Sequence, residues 1–132
     1  MSSGKLITRS ALGCTAAYKN CLKFKDEHNL LYVCGNNVVV YNTDTKEQNF
    51  IVGTTHPTLG LGITAIATSH YKRVIAIAEK TSKNGIITLY DSLSLRRKKI
   101  INNADIGSKE ILDLAFSGDG RYFIAQGGGS EL

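Results

Sequence analysis

No stretch of this 132-residue sequence approaches the roughly 18 consecutive apolar residues that a membrane-spanning helix requires. Met1 to Arg9 holds no apolar segment long enough for a secretory signal, so an intracellular chain is expected. Cysteine is sparse. Cys14, Cys21 and Cys34 are odd in number and irregularly spaced, which argues against a disulfide scaffold and for reduced thiols. Cys34, at the end of an apolar strand, reads as a small core residue, while Cys14 and Cys21 have no assigned place. No cysteine pair has the C-x-x-C spacing, and His28, His56 and His70 fall in separate turns or loops, so no metal site is expected. Gly127-Gly128-Gly129-Ser130 lacks the following Lys-Ser or Lys-Thr of a phosphate-binding loop and reads as a flexible hairpin loop. Asp91, Asp113 and Asp119 are dispersed, and hydrogen bonding at turns and strand ends accounts for them better than acid–base pairing. No catalytic residue and no cofactor is expected.

The composition is that of a globular domain, with 42% hydrophobic and 20% charged residues. A chain of this length buries roughly 65 to 70% of its unfolded surface, enough for a core. The formal net charge of +5 favours acidic partners. That excess is spread out except at Arg96-Arg97-Lys98-Lys99.

Short strand-like runs dominate. Ile63 to Ser69, Arg73 to Glu79, Gly85 to Asp91 and Arg96 to Asn102 are rich in Ile, Val, Ala or Thr and are bounded by turn residues. They read as an antiparallel meander. Asn84-Gly85 is the sharpest turn signal, because a type I′ hairpin needs positive φ at its central residues.

The meander recurs. Moved forward by 48 residues, Ile63 to Ala78 falls on Ile111 to Gln126 in register. Moved backward, Cys21 to Lys25, Leu30 to Cys34, Asn37 to Asn42 and Gln48 to Val52 match its four strands. Tyr41 and Tyr90 stand 49 residues apart. A four-stranded unit at this period is the mark of a β-propeller blade, and a β-sandwich does not require pairwise register over whole units. The expected fold is all-β: a partial propeller of about two and a half four-stranded antiparallel blades. The expected division is an N-terminal segment at 1-19, a first blade at 20-53, a linker loop at 54-62, a second blade at 63-103 and the first half of a third blade at 104-132. Ile7 to Gly13 is a candidate ring-closing strand. A closed propeller typically takes about 4 to 8 blades, so this chain is expected to be part of a longer protein. Open strand edges would make it self-associate or require a partner when isolated.

Tyr90-Asp91 and Tyr41-Asn42 resemble the aromatic–acidic pair that ends the third strand of WD repeats. Ser117-Gly118-Asp119-Gly120-Arg121-Tyr122 resembles the turn between their first and second strands. The repeats are degenerate, for tryptophan is absent and no Gly-His pair precedes the first strand. The longer pattern resembles the N-terminal part of the cilia- and flagella-associated protein fifty-seven family, WD-repeat proteins of motile cilia. It runs through Tyr41-Asn42, Gln48 to Gly53, Arg73 to Glu79, Ile86 to Tyr90, Arg97 to Asn103, and Leu114-Ala115-Phe116-Ser117 to Gln126.

That resemblance implies a non-enzymatic structural or adaptor protein of the ciliary or flagellar axoneme, in cytoplasm and cytoskeleton, that serves inner-arm dynein placement. The implied partners are axonemal proteins, inner-arm dynein components or tubulin, and the remaining blades of a longer chain. No membrane and no nucleic acid is expected, since no aromatics interleave the basic residues. The basic row Arg96, Arg97, Lys98 and Lys99 belongs to the outermost strand, where alternation predicts two on each face. It is either a solvated edge or a contact for an acidic surface. The competing reading is a cytoplasmic WD-repeat protein that binds microtubules or actin. An enzyme would need a convergent polar site in the channel, which Thr64, Ala65 and Ala67 do not provide.

Overall fold

The computed structural model describes residues 4–7, 9–53, 60–101 and 107–128. Thr54 to Leu59 of the expected linker with His56, the Asn102-Asn103 pair and the terminal Gly129 to Leu132 lie outside the described residues. Among the described residues there is no helix. Ten strands among these residues form three antiparallel sheets in chain order. The first sheet comprises β1 (Leu22–Phe24), β2 (Asn29–Cys34), β3 (Asn37–Asn42) and β4 (Gln48–Val52). The second comprises β5 (Gly60–Ser69), β6 (Val74–Thr81), β7 (Ile86–Asp91) and β8 (Arg97–Ile101). The third pairs β9 (Glu110–Phe116) with β10 (Phe123–Gly128). The fold is a partial β-propeller.

Register assigns each side chain to a face, because residues directly opposite on neighbouring antiparallel strands share one. The row Ile66, Ile77, Thr88 and the row Ile75, Tyr90 lie on one face of the second sheet. Against them pack Leu31, Val33, Val38, Val40 and Ile51 of the first sheet, and Tyr90 is 5% exposed in that layer. The opposite face of the second sheet is built from smaller residues. Ala65 and Ala78 stand beside Ile87, and Ala67 and Ala76 beside Leu89. They meet Ile111, Leu114, Phe116 and Phe123 of the third sheet. Branched residues fill the first inter-blade layer, and alanines admit a close approach in the second.

Several strand limits differ from the sequence expectation. The inner strand β5 begins at Gly60, inside the stretch read as a linker, and register shifts near Ile63 accommodate its extra length. Arg73 closes the preceding turn with a φ of 52° and stands outside β6. Neither Asn84 nor Gly85 has a positive φ, so the expected type I′ hairpin is not formed. Thr81 organises this connection instead: its Oγ1 accepts from Lys83 N and Asn84 N, both at 3.2 Å, and donates to Asn84 O at 2.6 Å. Glycine is needed at position 85 for proximity. A Cβ there would lie 2.9 Å from Ile111, and Gly85 N donates to Ser108 O at 3.0 Å. Gly127 and Gly128 are likewise no hairpin loop. They lie in β10 opposite Ile111 and Glu110, where side chains would collide with Ser108 and Leu112.

These two layers predict opposite sensitivities. Ile66→Ala is expected to lower unfolding stability by about 2 to 5 kcal/mol through a cavity. Ala76→Leu is expected to cost about 1 to 3 kcal/mol through overpacking. Urea denaturation of each variant against the parent checks both.

Candidate interaction surface

Turns between first and second strands and between third and fourth strands project from the same edge of each blade. The residue after each third-strand tyrosine builds the latter turn. Asn42 Oδ1 accepts from Asp44 N at 3.0 Å and Thr45 N at 2.9 Å, and Asp91 Oδ1 accepts from Leu93 N at 3.0 Å and Ser94 N at 2.8 Å. Lys46 and Leu95 then take left-handed φ values of 62° and 58°. The turns also bind their neighbours: Thr43 N donates to His28 O at 2.7 Å, and Ser92 N donates to Arg73 O at 2.9 Å. The aromatic–polar pair of the sequence pattern is thus a ring, buried at Tyr90 and half-buried at Tyr41, followed by a turn-closing acceptor.

The carboxylates are engaged in the same way. Asp26 Oδ1 accepts from the backbone of His28 and Asn29, each at 2.9 Å, while its Oδ2 meets Lys25 Nζ at 3.0 Å. Asp119 accepts from the Ser117 hydroxyl at 2.6 Å and from Arg121 N at 3.0 Å. These bonds hold both Asp91 and Asp119 below the usual carboxylate range, chiefly through Ser94 N–H and the Ser117 hydroxyl, respectively. Asp113 accepts from Leu114 N at 2.9 Å and from the Asn20 amide at 3.2 Å.

Between the first and second blades this edge opens into a cleft of about 250 Å³, lined by Lys25, Asp26, Thr68, His70, Arg73 and Leu93 among others. His28 pairs with Asp44 at 2.6 Å, and His70 is exposed. Among the described residues no three His, Cys, Asp or Glu side chains converge as metal ligands.

The basic row occupies the outer wall. Arg97, Lys98 and Lys99 lie in β8, while Arg96 belongs to the preceding turn, where its carbonyl accepts from Asp91 N at 2.8 Å. All four are exposed. Arg97 stands opposite Tyr90 and Lys99 opposite Leu89, with a register shift between the pairs, so two-by-two alternation does not describe the row. Lys98 lies 3.7 Å from Asp91.

Three features escape the sequence pattern. First, Cys21 is the core cysteine at 6% exposure, and Cys34 is only half-buried. Second, the described residues of Ile7 to Gly13 form no strand. The segment instead crosses the first blade, with Ala11 N donating to Gln48 Oε1 at 2.8 Å and Thr15 N to Val33 O at 2.7 Å. Third, its continuation reaches the third sheet. Tyr18 donates to Glu110, which also lies 3.6 Å from Lys80 Nζ. The Glu110 hydrogen bond, with burial, pushes the Tyr18 phenol up to about 12. No local pattern announces a contact between residues 92 positions apart.

Burial alone would raise the Asp26 carboxyl, but the His28 N–H, Lys25 and Asn29 outweigh it and hold its pKa at about 2 instead of 3.8. A depressed folded-state value means that this carboxylate stabilises the fold above its unfolded pKa, and the contribution is lost as pH falls through the folded one. An NMR titration is expected to place the Asp26 midpoint near 2. The stability of Asp26→Asn should depend less on pH between about 4 and 2 than that of the parent.

No family model matches the chain. Mouse "Cilia- and flagella-associated protein 57" is 34% identical over 109 residues, which are 81% of this chain and 8% of the mouse protein. "Cilia- and flagella-associated protein 57 C" of Tetrahymena thermophila is 32% identical over 81 residues, 61% of this chain and 6% of its own length. The chain therefore spans less than a tenth of either relative. Among solved structures, the β-propeller domain of Myceliophteria thermophila Cps50 (Swd1) superposes with a TM-score of 0.58 at 15% identity, covering 84% of this chain and 33% of that one. A chain of the mitotic checkpoint complex gives 0.58 at 13% identity, covering 95% and 52%. These two likenesses speak to fold alone.

Proposed function

Because the chain belongs to the WD-repeat family of cilia- and flagella-associated protein 57, we propose that it is a non-enzymatic structural or adaptor element of the motile axoneme, its blades serving as a protein-interaction scaffold. The observation that carries this reading is the 34% identity over 109 residues, a span that must include strands of more than one blade. The relatives are cilia- and flagella-associated by name, and the cilium or flagellum is the place this reading gives the chain. The family resemblance adds inner-arm dynein placement as the task and further blades of a longer chain as immediate neighbours.

The blades support a binding role in physical terms. Apolar side chains are consumed between sheets, so the surfaces left for partners are turn edges and outer strands. Along β8 and the turn before it, Arg96, Arg97 and Lys99 have no acidic partner among the described residues, and Lys98 shares Asp91 at 3.7 Å. A row of exposed cations suits an acidic surface such as that of tubulin, with binding that weakens as salt rises.

Co-sedimentation of the purified protein with microtubules and, separately, with filamentous actin tests this. Salt-sensitive microtubule binding is expected, and reversing Arg96, Arg97, Lys98 and Lys99 to Glu should weaken it by about tenfold or more. Binding to actin alone would replace the axonemal reading with that of a cytoplasmic actin-binding protein. Microtubule binding unchanged by the reversal would remove β8 from the interface.

A further inference from the structure

We propose that Cys14 and Cys34 form a reversible disulfide that fastens the segment preceding β1 onto the first blade. Leu12 to Thr15 lies along the end of β2, and three hydrogen bonds fix it there. Thr15 N donates to Val33 O at 2.7 Å, Gly35 N donates to Thr15 Oγ1 at 3.2 Å, and the Cys34 thiol donates to Leu12 O at 3.7 Å.

The first of these bonds sets the separation of the two cysteines. Thr15 N is joined directly to the carbonyl carbon of Cys14, and Val33 O belongs to the peptide that leads into Cys34. Covalent lengths plus that one hydrogen bond therefore keep the two Cα atoms within about 8 Å. That upper limit stands just above the roughly 4.4 to 6.8 Å that disulfides span. Orientation agrees. Cys34 is two positions from Tyr32 on β2, so its side chain shares the Tyr32 face. That is the face the segment crosses: Gln48 Nε2 donates to both Ala11 O and Tyr32 OH, each at 3.1 Å. The Tyr32 phenol is pushed up first by burial and then by Cys34, Tyr41 and Cys14.

The third cysteine is the least reactive. Cys21 is buried, its thiol is directed to Thr64 O at 3.7 Å, and burial, with Cys14 second, pushes its pKa up, which suppresses the reactive thiolate. Cys14 is exposed and is the group an oxidant meets first. With glutathione disulfide as oxidant, the Cys14 thiolate attacks one glutathione sulfur, forms a mixed disulfide and expels one glutathione thiolate. The Cys34 thiolate then attacks the Cys14 sulfur, closes the Cys14–Cys34 bond and expels the second. The two cysteines lose two electrons and two protons, and the two glutathione molecules leave reduced and protonated. In a reducing compartment such a bond is transient, which makes it a switch on how firmly the segment is held.

Trypsin separates the three cysteines, because Lys19, Lys23, Lys25 and Lys46 place Cys14 in Ser10–Lys19, Cys21 in Asn20–Lys23 and Cys34 in Asp26–Lys46. The purified protein is incubated with glutathione disulfide, alkylated and mapped without reduction by mass spectrometry. The expected product is Ser10–Lys19 joined to Asp26–Lys46, with Asn20–Lys23 alkylated as a free thiol. Cys14→Ser and Cys34→Ser should each abolish that product, and Cys21→Ser should retain it. Hydrogen exchange at Thr15 N should slow in the oxidised protein and recover with dithiothreitol. A link to Cys21, links only between two copies, or separate glutathione adducts without the joined peptide would each overturn the proposal, as would unchanged exchange at Thr15.

Discussion

A blade of this protein has two apolar faces, and neither tolerates water for long, so the position of each sheet follows from what covers the other side of its neighbour. The second sheet satisfies the requirement on both sides. Its Ile66, Ile75, Ile77 and Tyr90 side is closed by the first sheet, and its alanine side is closed by Ile111, Leu114, Phe116 and Phe123 of the third. Register makes this possible, because a one-residue slip of β6 against β7 would exchange the two sets and bring alanines to a layer built for isoleucines. The same demand explains Gly85. A side chain there would hold Ile111 away from the layer that its packing completes.

Equivalent residues show how strongly burial depends on the neighbour. Tyr41 stands 49 residues before Tyr90 and occupies the matching place in its sheet, facing away from the second blade. Tyr90 is 5% exposed against the first blade, whereas Tyr41 is half-buried. By the same register Leu22 matches Ile66, and their exposures are 59% and 0%. Sequence and strand geometry at these pairs are alike, and only the covering layer differs. The segment from Ala11 to Thr15 supplies a partial substitute on the first blade, with hydrogen bonds exchanged with Gln48 and one donated to Val33 O in place of a second apolar sheet.

What is legible in the sequence is what a repeat records. The register of four strands, the third-strand tyrosine and the turn acceptor behind it recur at a fixed period, and each recurrence tests the others. Asn42 and Asp91 pair by sequence alone because the same turn geometry selects an oxygen at both positions. Features that occur once carry no such check. Gly85 carries a strong local turn signal, yet Thr81 organises the connection, and close approach by Ile111 of another blade is what calls for a glycine. The glycines of β10 read as a loop for the same reason, since close approach by Ser108 and Leu112 leaves no local trace. Cys34, read as a core residue, is half-buried, and Cys21, which had no assigned place, is buried, because burial at a strand end depends on the next sheet, which strand periodicity does not encode.

The surface available for partners follows from the same packing. Side chains that alternate into the layers between blades are withdrawn from recognition, which leaves the turn edge with its cleft and the outer strand β8. On the turn edge the carboxylates are already committed, for Asp26, Asp91 and Asp119 accept backbone or hydroxyl hydrogens within their own turns. On β8 the cations are not so committed, and the strand that carries them is anchored at Ile101 against the second apolar layer. A rigid row of charge on a packed sheet loses little side-chain or backbone freedom when a partner arrives beyond that of the side chains themselves. Affinity at any row of this kind rests on electrostatic match more than on buried area, and such contacts weaken as salt rises.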